Sequence, residues 1–440
     1  MSVLPLDSRT TVRRRPDPGE RRTERFDRPV LLLVDNRPSD FTRYVLGRTD
    51  VSVVLLRFDD FADLPNWPSW GRLPRWYRDA TADVPAFDVR ADRPLEEEAA
   101  RYSAWVASLA APPQFFCNPE EHVQDLSQRF AGLVGLPHLT DQQVRWVRNK
   151  AKMKDKFAEL GIASAHYRRV TTVGEIRQFA QAHGWPVVLK PVDSFATIDT
   201  HRIDSADQLE QLAPSLPSRE WMVEEFVAGK EYQLCALVAR GRVLDTFISI
   251  NPSPLLETLD GSMNADVTVG PHCAEYSLRT VVRDLVQRLV DGMHLEIGYL
   301  HMEFFVSPDG TIRMSEIGAR LAGCGIPSNH GLAFGFDIFG ATLDVYLQRV
   351  PKLRYTNDRC VGDLLLPTRA GRVMDVTPLD DLLRLPGVIS GQLEVAVGDV
   401  VPGRRASNAR SGLVHVEGAS VDEVLKRMQT VLDAFELTVE

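Results

Sequence analysis

The fold class this 440-residue sequence predicts is an open parallel α/β domain followed by an α+β core of antiparallel strands, with a small mixed domain at the C-terminal end. Three observations carry it. Pro29 leads into the unbroken apolar run Val30-Leu31-Leu32-Leu33-Val34, which ends at Asp35-Asn36, and a second run, Val51 to Leu56, follows a segment of helical character. Runs of this kind suit strands covered on both faces. Further on, Trp221 to Val227, Glu231 to Val238 and Val243 to Ile250 succeed one another around an Arg240-Gly241 turn, as in an antiparallel sheet. Finally, Tyr299 to Val306 and Thr311 to Ile317 flank Pro308-Asp309-Gly310, a turn signal. No Gly-x-Gly-x-x-Gly follows the first strand, which removes the sequence reason for a dinucleotide site there.

Residues 1 to 28, rich in Arg, Asp, Glu and Pro, cannot bury enough surface to offset ordering entropy and are expected to form a flexible tail. A solvated tail is a plainer reading than a hold on an anionic partner. Residues 29 to 140 make the α/β domain. Within it, the Trp, Pro and Gly content from Leu64 to Tyr77 suits a loop, with Trp67, Trp70 and Trp76 packing it more readily than lining a cavity. Over 141 to 160, Val144, Val147, Met153, Phe157 and Leu160 recur at helical spacing, with Gly161 as a stop. Gly184-Trp185-Pro186 then opens the strand Val187 to Pro191. A first core subdomain is thus expected over 141 to 220, and a second, with a helix at Val281 to Leu289, over 221 to 350. From 351 to 440, Val395-Ala396-Val397, Gly412 to Val416 and a helical Val421 to Phe435 describe the small mixed domain, or a cap on the centre.

A net charge of -9 argues against a protein that coats nucleic acid. Cys117, Cys235, Cys273, Cys324 and Cys360 are odd in number and include no Cys-x-x-Cys, as expected of thiols packed as small core residues in a reducing compartment. Arg13 to Arg15 precede no apolar signal core, and no run approaches 18 apolar residues, so a cytoplasmic protein without a membrane partner is expected.

Chemistry enters with Glu303 and Glu316. If the turn makes Val306 and Thr311 neighbours, Glu303 lies opposite Met314, and Glu316, two residues on, shares its face. Two carboxylates turned into one site repel unless a cation joins them, and Mg²⁺ takes its other ligands from water and phosphate oxygens. Taken alone, the pattern also fits two glutamates on a solvated face. Lys190 ends an apolar strand, where an ammonium is costly without an anion such as phosphate. Lys150 and Lys154 lie on the polar side of a helix and by composition are ordinary surface residues. Arg320 follows in Ser315-Glu316-Ile317-Gly318-Ala319-Arg320-Leu321-Ala322-Gly323, where its guanidinium can bind a phosphoryl group or pair with one of the same glutamates. Glycines such as Gly318 and Gly323 permit close backbone approach to a substrate.

The order of Lys150, Val188-Leu189-Lys190-Pro191, Val223-Glu224-Glu225-Phe226-Val227-Ala228-Gly229-Lys230-Glu231, His301-Met302-Glu303-Phe304 and Ser315 to Arg320 resembles the ATP-grasp superfamily, and within it the carboxylate-amine ligases that join amino acids into dipeptides. The likeness is clear over about 150 to 345. It implies the ATP-grasp fold, with Lys150 and Lys190 on ATP phosphates, Glu224, Glu225, Phe226 and Val227 at the hinge around adenine, and Glu231 on the ribose. It implies Glu303 and Glu316 as ligands of two Mg²⁺ ions, with Mn²⁺ as a substitute, and Arg320 and Lys190 as catalytic residues. Ser194, Thr197, His272, Gly318, Arg320 and Gly323 are the residues expected near the substrates.

Two positions depart from the family pattern. Gly318 stands where many members place a metal-binding Asn, and Asp193 to Asp199 stands where a Gly-rich phosphate-covering loop is common. The reaction implied is attack of a carboxylate on the γ-phosphate, then capture of the acyl phosphate by an amine, with 193 to 200 and Ser253 to His272 as candidate lid and acceptor segments. A homodimer is implied too. A carboxylase or small-molecule kinase on the same scaffold is one alternative, and a non-catalytic nucleotide-binding regulator is another. His301 should face the metal side, while His272 and His330, placed in loops, and Cys324 suit packing or ordinary hydrogen bonds.

Overall fold

The computed structural model describes residues 28–59, 75–402 and 406–440. Residues 1 to 27 of the tail expected over 1 to 28, and Trp67 and Trp70 of the expected loop, lie outside these residues. Trp76 belongs to the helix Arg75–Thr81, and the Arg43 guanidinium lies 5.3 Å from its ring centre.

The N-terminal sheet is parallel, with Val30–Val34 between Ser52–Phe58 and Phe115–Cys117, and Ala86–Val89 outside the second strand. Leu31 and Leu33 pack into one core while Val30, Leu32 and Val34 pack into another, which is why that run has no polar alternation. The strand order reverses between the first and fourth strands, so a crevice opens beyond their carboxyl ends. Asn36 and Arg37 there donate backbone N–H groups to Glu120 at 2.7 and 3.0 Å.

The helix expected over 141 to 160 is two helices, Asp141–Arg148 and Lys150–Glu159. Asn149 breaks it with an extended backbone (φ -90°, ψ 108°), and its side chain accepts the Lys152 N–H, capping the second helix. Lys150 thereby becomes the first residue of a helix, facing inward.

Beyond it lies a four-stranded antiparallel sheet ordered Tyr167–Val170, Trp221–Glu225, Val187–Pro191, His201–Ile203. This corrects the expected succession, because Trp221–Glu225 does not join the strands that follow it, and a boundary at 220 would cut this sheet. The chain crosses to the next sheet through 226–229. Gly229 is needed there, since a Cβ would lie 2.5 Å from the Val306 carbonyl oxygen.

The central sheet has eight strands, in the order Ile312–Gly318, Ile297–Val306, Lys230–Ala239, Arg242–Ile250, Ala265–Thr268, Cys360–Leu366, Gly412–Gly418, Val388–Leu393. The C-terminal region thus continues this sheet with three strands across the boundary expected at 351. It adds a three-stranded sheet of its own (Gly371–Val376, Val400–Val401, Leu437–Val439) and the helix Val421–Ala434. Val395 to Val397 lies outside the strands, in the turn between Val388–Leu393 and Val400–Val401. One face of the central sheet, with Leu234, Ala236, Leu300, Met302 and Phe304, packs on the helix Leu278–Met293. The alternate residues look the other way.

The hairpin register also differs from expectation. Val306 pairs with Ile312 rather than Thr311, and an irregularity after Glu303 adds one more residue, so Glu303 faces Glu316 directly and not Met314. The expectation that the two carboxylates share a face holds, with a direct pairing in place of a diagonal one.

Candidate active site

The alternate residues of the central sheet form its polar side: Glu316, Glu303, Gln233, Ser249 and Thr268 are successive cross-strand partners. Over them, facing the four-stranded sheet, lies a cleft of about 820 Å³.

A chain of alternating charges crosses its floor. Lys154 Nζ lies 2.8 Å from Glu224, whose other oxygen is 2.7 Å from Lys190 Nζ. Lys190 reaches Glu316 at 2.9 Å, and Glu316 in turn meets Lys150 at 2.9 Å. Lys150 also donates to the Ser194 carbonyl at 2.7 Å. Burial would raise the Glu316 carboxyl, but Lys150 and Lys190 override it and hold it well below the usual range. Burial would lower Lys190, but Glu224 and Glu316 hold its ammonium charged. Lys154 is 1% exposed, which corrects its reading as a surface residue; Lys150 is buried as well. The Glu224 side chain is committed to the two lysines and is not free for a base edge.

Glu303 has no such cations in contact. Burial, then repulsion by Glu316 and Glu231, push it up to about 8, and burial pushes Glu231 up to about 7 although Leu255 N–H donates to it at 3.0 Å. Negative charge here lacks a counter-ion, which fits a divalent cation between Glu303 and Glu316. Among the described residues no three acidic, His or Cys side chains gather to cage an ion, so its remaining ligands would come from phosphate and water. Gly318 supplies none. A Cβ there would meet Arg320 Nε at 3.6 Å and the His301 carbonyl oxygen at 3.8 Å, ordinary contacts that do not require glycine.

Among the described residues Arg320 pairs with Glu121 and with neither Glu303 nor Glu316, although all of them line the cleft. Glu121 accepts from its Nε at 3.1 Å and from Nη2, while Arg320 Nη1 donates to the Leu321 carbonyl at 2.7 Å. Arg148 Nη1 holds the other Glu121 oxygen at 2.8 Å. Burial opposes the charge of Glu121, yet Arg320, Arg148 and Lys150 bring its carboxyl down to about 2. Glu121 was missed in the sequence. The signal was its place four residues after the strand Phe115–Cys117, at the crevice of the parallel sheet. Lys154, also missed, lies one helical turn from Lys150.

Glu225, Phe226 and Val227 line the cleft where the chain crosses between sheets, as do Ser194, Thr197 and Gly323. Ala196, Thr197 and Asp199 have φ of 50°, 56° and 55°, so the loop standing for a Gly-rich one adopts left-handed backbone without glycine. His301 faces the metal side as expected, with Nε2 2.6 Å from Gln233 Oε1; burial and Arg320 bring it down to about 3, so it is neutral. His272 corrects an expectation: it is exposed, pairs with Asp358 at 2.8 Å and does not line the cleft. Only the parts of 253–272 around Leu255 and Ala265 do so. His330 is not in a loop but buried in the helix Ile326–Phe334, 3.2 Å from Ser249 Oγ. Cys324 is exposed on the cleft lining and accepts from Arg410 Nη1 at 3.5 Å, the ordinary hydrogen bond expected of it.

Comparison with known proteins accords with this geometry. Residues 155–331 match the ATP-grasp domain, and residues 363–440 match the L-amino acid ligase C-terminal domain 2. The chain therefore carries an ATP-grasp domain, followed by a region similar to the C-terminal domain of L-amino acid ligases. It is 25% identical over 272 residues to an L-arginine-specific L-amino acid ligase of Bacillus subtilis, covering 60% of this chain and 65% of that one. It is 26% identical over 277 residues to dapdiamide A synthase of Enterobacter agglomerans, covering 58% and 62%. The matched stretch therefore spans less than two thirds of either relative. The crystal structure of an L-amino acid ligase from Bacillus licheniformis shares the fold with a TM-score of 0.71 at 16% identity, over 94% of this chain and 99% of that one. Among the described residues no helix is long and apolar enough to cross a membrane.

Proposed function

We propose that this protein is an ATP-dependent ligase that joins the carboxylate of one amino acid to the amine of another through an acyl phosphate, releasing ADP and phosphate. The observation that supports this reading above all is the buried Lys154–Glu224–Lys190–Glu316–Lys150 chain ending at the cross-strand Glu303·Glu316 pair. Lys150 and Lys190 would take phosphate oxygens, exchanging part of their hold on Glu316 for the nucleotide. Glu225 and Val227 would offer backbone groups to adenine, with Phe226 beside them, and Glu231 would hold the ribose. Glu303 and Glu316 would hold Mg²⁺ or Mn²⁺, as one ion or two, which would neutralise charge on the transferred phosphoryl group.

The substrate carboxylate attacks the γ-phosphate in line, and Arg320, aimed by Glu121, steadies the phosphoryl oxygens and then the oxyanion formed when the amine adds. Ser194, Thr197 and Gly323 bound this space, and the loop at 193–200 closes it to water. No side-chain nucleophile is needed. A homodimer in the cytoplasm completes the proposal.

The test is ADP and phosphate release from Mg-ATP on addition of pooled amino acids and small carboxylic acids, with mass analysis of the product. Stimulated release with an amide product is the expected result. ATP binding without stimulation would instead mark a regulator, and release yielding a carboxylated or phosphorylated product would mark the other chemistries of this scaffold.

A further inference from the structure

Asp266 and Asp363 form a second acidic pair that the handling of ATP does not use. They are direct partners across Ala265–Thr268 and Cys360–Leu366, on the polar side of the same sheet, and both line the cleft. Three strand steps of about 4.8 Å, and an offset of two residues along the strand from Thr268 in the Glu303 row, set Asp266 about 16 Å from Glu303.

The two aspartates differ in their partners. Asp363 accepts the Gly325 N–H at 2.9 Å and Asn329 Nδ2 at 2.6 Å, and His415 Nδ1 lies 2.8 Å from Asn329 Oδ1 and orients it. Asp266 is 4% exposed, and among the described residues neither of its oxygens has a hydrogen-bond partner. Ser249 and Asn329 lie near, but burial and repulsion by Asp363 prevail and push its carboxyl well up. The cation facing this end of the cleft, Arg410, is held by Glu394 at 2.7 Å. A buried carboxylate aimed into a ligand cleft with its charge unanswered is complementary to a cation brought by the ligand.

We propose that Asp266, backed by Asp363, seats the side-chain ammonium or guanidinium of a basic amino acid, making that class a substrate of the enzyme. This assignment rests on the ligase reading. The span favours the side chain over the α-ammonium. An α-nitrogen lies about 2.5 Å from its own carboxyl carbon, too near a phosphoryl group at Glu303 to reach Asp266, whereas the end of a lysine- or arginine-length side chain lies about 8 Å away and spans about half of that distance, leaving the rest to the phosphoryl group and the two acidic side chains.

The test uses the full chain with Mg-ATP. ADP release is titrated with L-lysine and L-arginine and with the uncharged L-norleucine and L-citrulline, each beside a pool of other amino acids, in wild type and Asp266→Asn. The KM of each basic amino acid should be at least about tenfold below that of its uncharged counterpart. Asp266→Asn should raise the basic KM about ten- to hundredfold, leave kcat within about threefold and leave the uncharged KM unchanged. The variant should melt no lower than wild type, because it replaces a buried acid whose oxygens make no hydrogen bond with a neutral side chain of the same shape.

Protection of the protein by L-arginine against thermal unfolding, measured without turnover, separates the two readings. If no amino acid drives ADP release but arginine protects wild type and not the variant, the ligase reading falls and the subsite stands. If ligation proceeds with equal KM for arginine and citrulline, or with a preference that Asp266→Asn leaves untouched, the subsite falls. An equal loss for lysine and norleucine in the variant would move the contact to the α-ammonium and overturn the side-chain assignment.

Discussion

Glu303 and Glu316 face each other at one end of the central sheet, and Asp266 and Asp363 do so three strands away. Burial pushes all four carboxyls up. Their fates diverge through what neighbouring elements bring to them. Glu316 receives Lys150 from a helix start and Lys190 from a strand end and stays ionised. Asp363 receives only neutral donors and rises to about 6, while Asp266 receives none that bonds it. Identical backbone pairing thus gives a charged anchor in one place and an unanswered acid in the other, which shows that the flanking elements, rather than the sheet, decide the electrostatics.

The largest expected effect lies on the charged pair. Glu316→Ala should lower product formation by about 10³-fold or more, read by mass analysis, with the circular dichroism spectrum retained; near-normal ligation would show that the acidic pair of the hairpin is not the reaction centre. Lys190→Ala should act in the same direction.

Next comes the lysine without an assigned ligand contact. Lys154→Met leaves Glu224 with one buried partner instead of two, and should destabilise the protein by about 3–5 kcal/mol in denaturant titration. An unaltered midpoint would mean that the Lys154–Glu224 contact does not contribute to the fold.

Glu121→Gln sharpens the contrast through pH. The folded carboxyl is held at about 2 against an ordinary 4.5, so its stabilisation is complete above 4.5 and is lost as pH falls from there towards 2. Wild type should exceed the variant by about 3 kcal/mol at most near neutrality, with the gap closing in acid. kcat should fall about tenfold as Arg320 loses its aim. Asp363 has the opposite sign. Its folded proton persists to about 6 while the unfolded group releases near 3.8, so its contribution to stability declines as pH rises across that interval, and Asp363→Asn should flatten the slope. Equal slopes in wild type and both variants would erase the distinction between the pairs.

The smallest effect belongs to Gly318→Asn. With only ordinary contacts awaiting its Cβ, it should change stability by no more than about 0.5 kcal/mol and add a possible ligand beside Glu316. A strong loss of stability in thermal melts would mean that the position demands glycine.

The Lys190, Glu303 and Glu316 part of the site was legible because its residues stand in local, ordered segments. Lys190 at a strand end and Glu303 and Glu316 around one turn carry their chemistry within short windows of sequence. The register slipped by one residue in the turn and one in the irregularity, neither of which alters alternation enough to read beforehand. Other members depend on remote packing. Glu121 meets Arg320 from 199 positions away, and Asp266 meets Asp363 only because the C-terminal strands return to the central sheet. Lys154 looks like a surface lysine until Glu224, from the four-stranded sheet packed beside its helix, covers it. His272 was placed near the substrates by its segment alone, and the fold turns it outward to Asp358.

The shared sheet also bears on how the protein can be dissected. Cutting the chain after residue 350 would strip Cys360–Leu366 from Ala265–Thr268 and leave a bare row of amide and carbonyl groups along a newly made margin. Such a fragment is expected to self-associate and precipitate. The ATP-grasp part and its trailing segment therefore have to be expressed and engineered together.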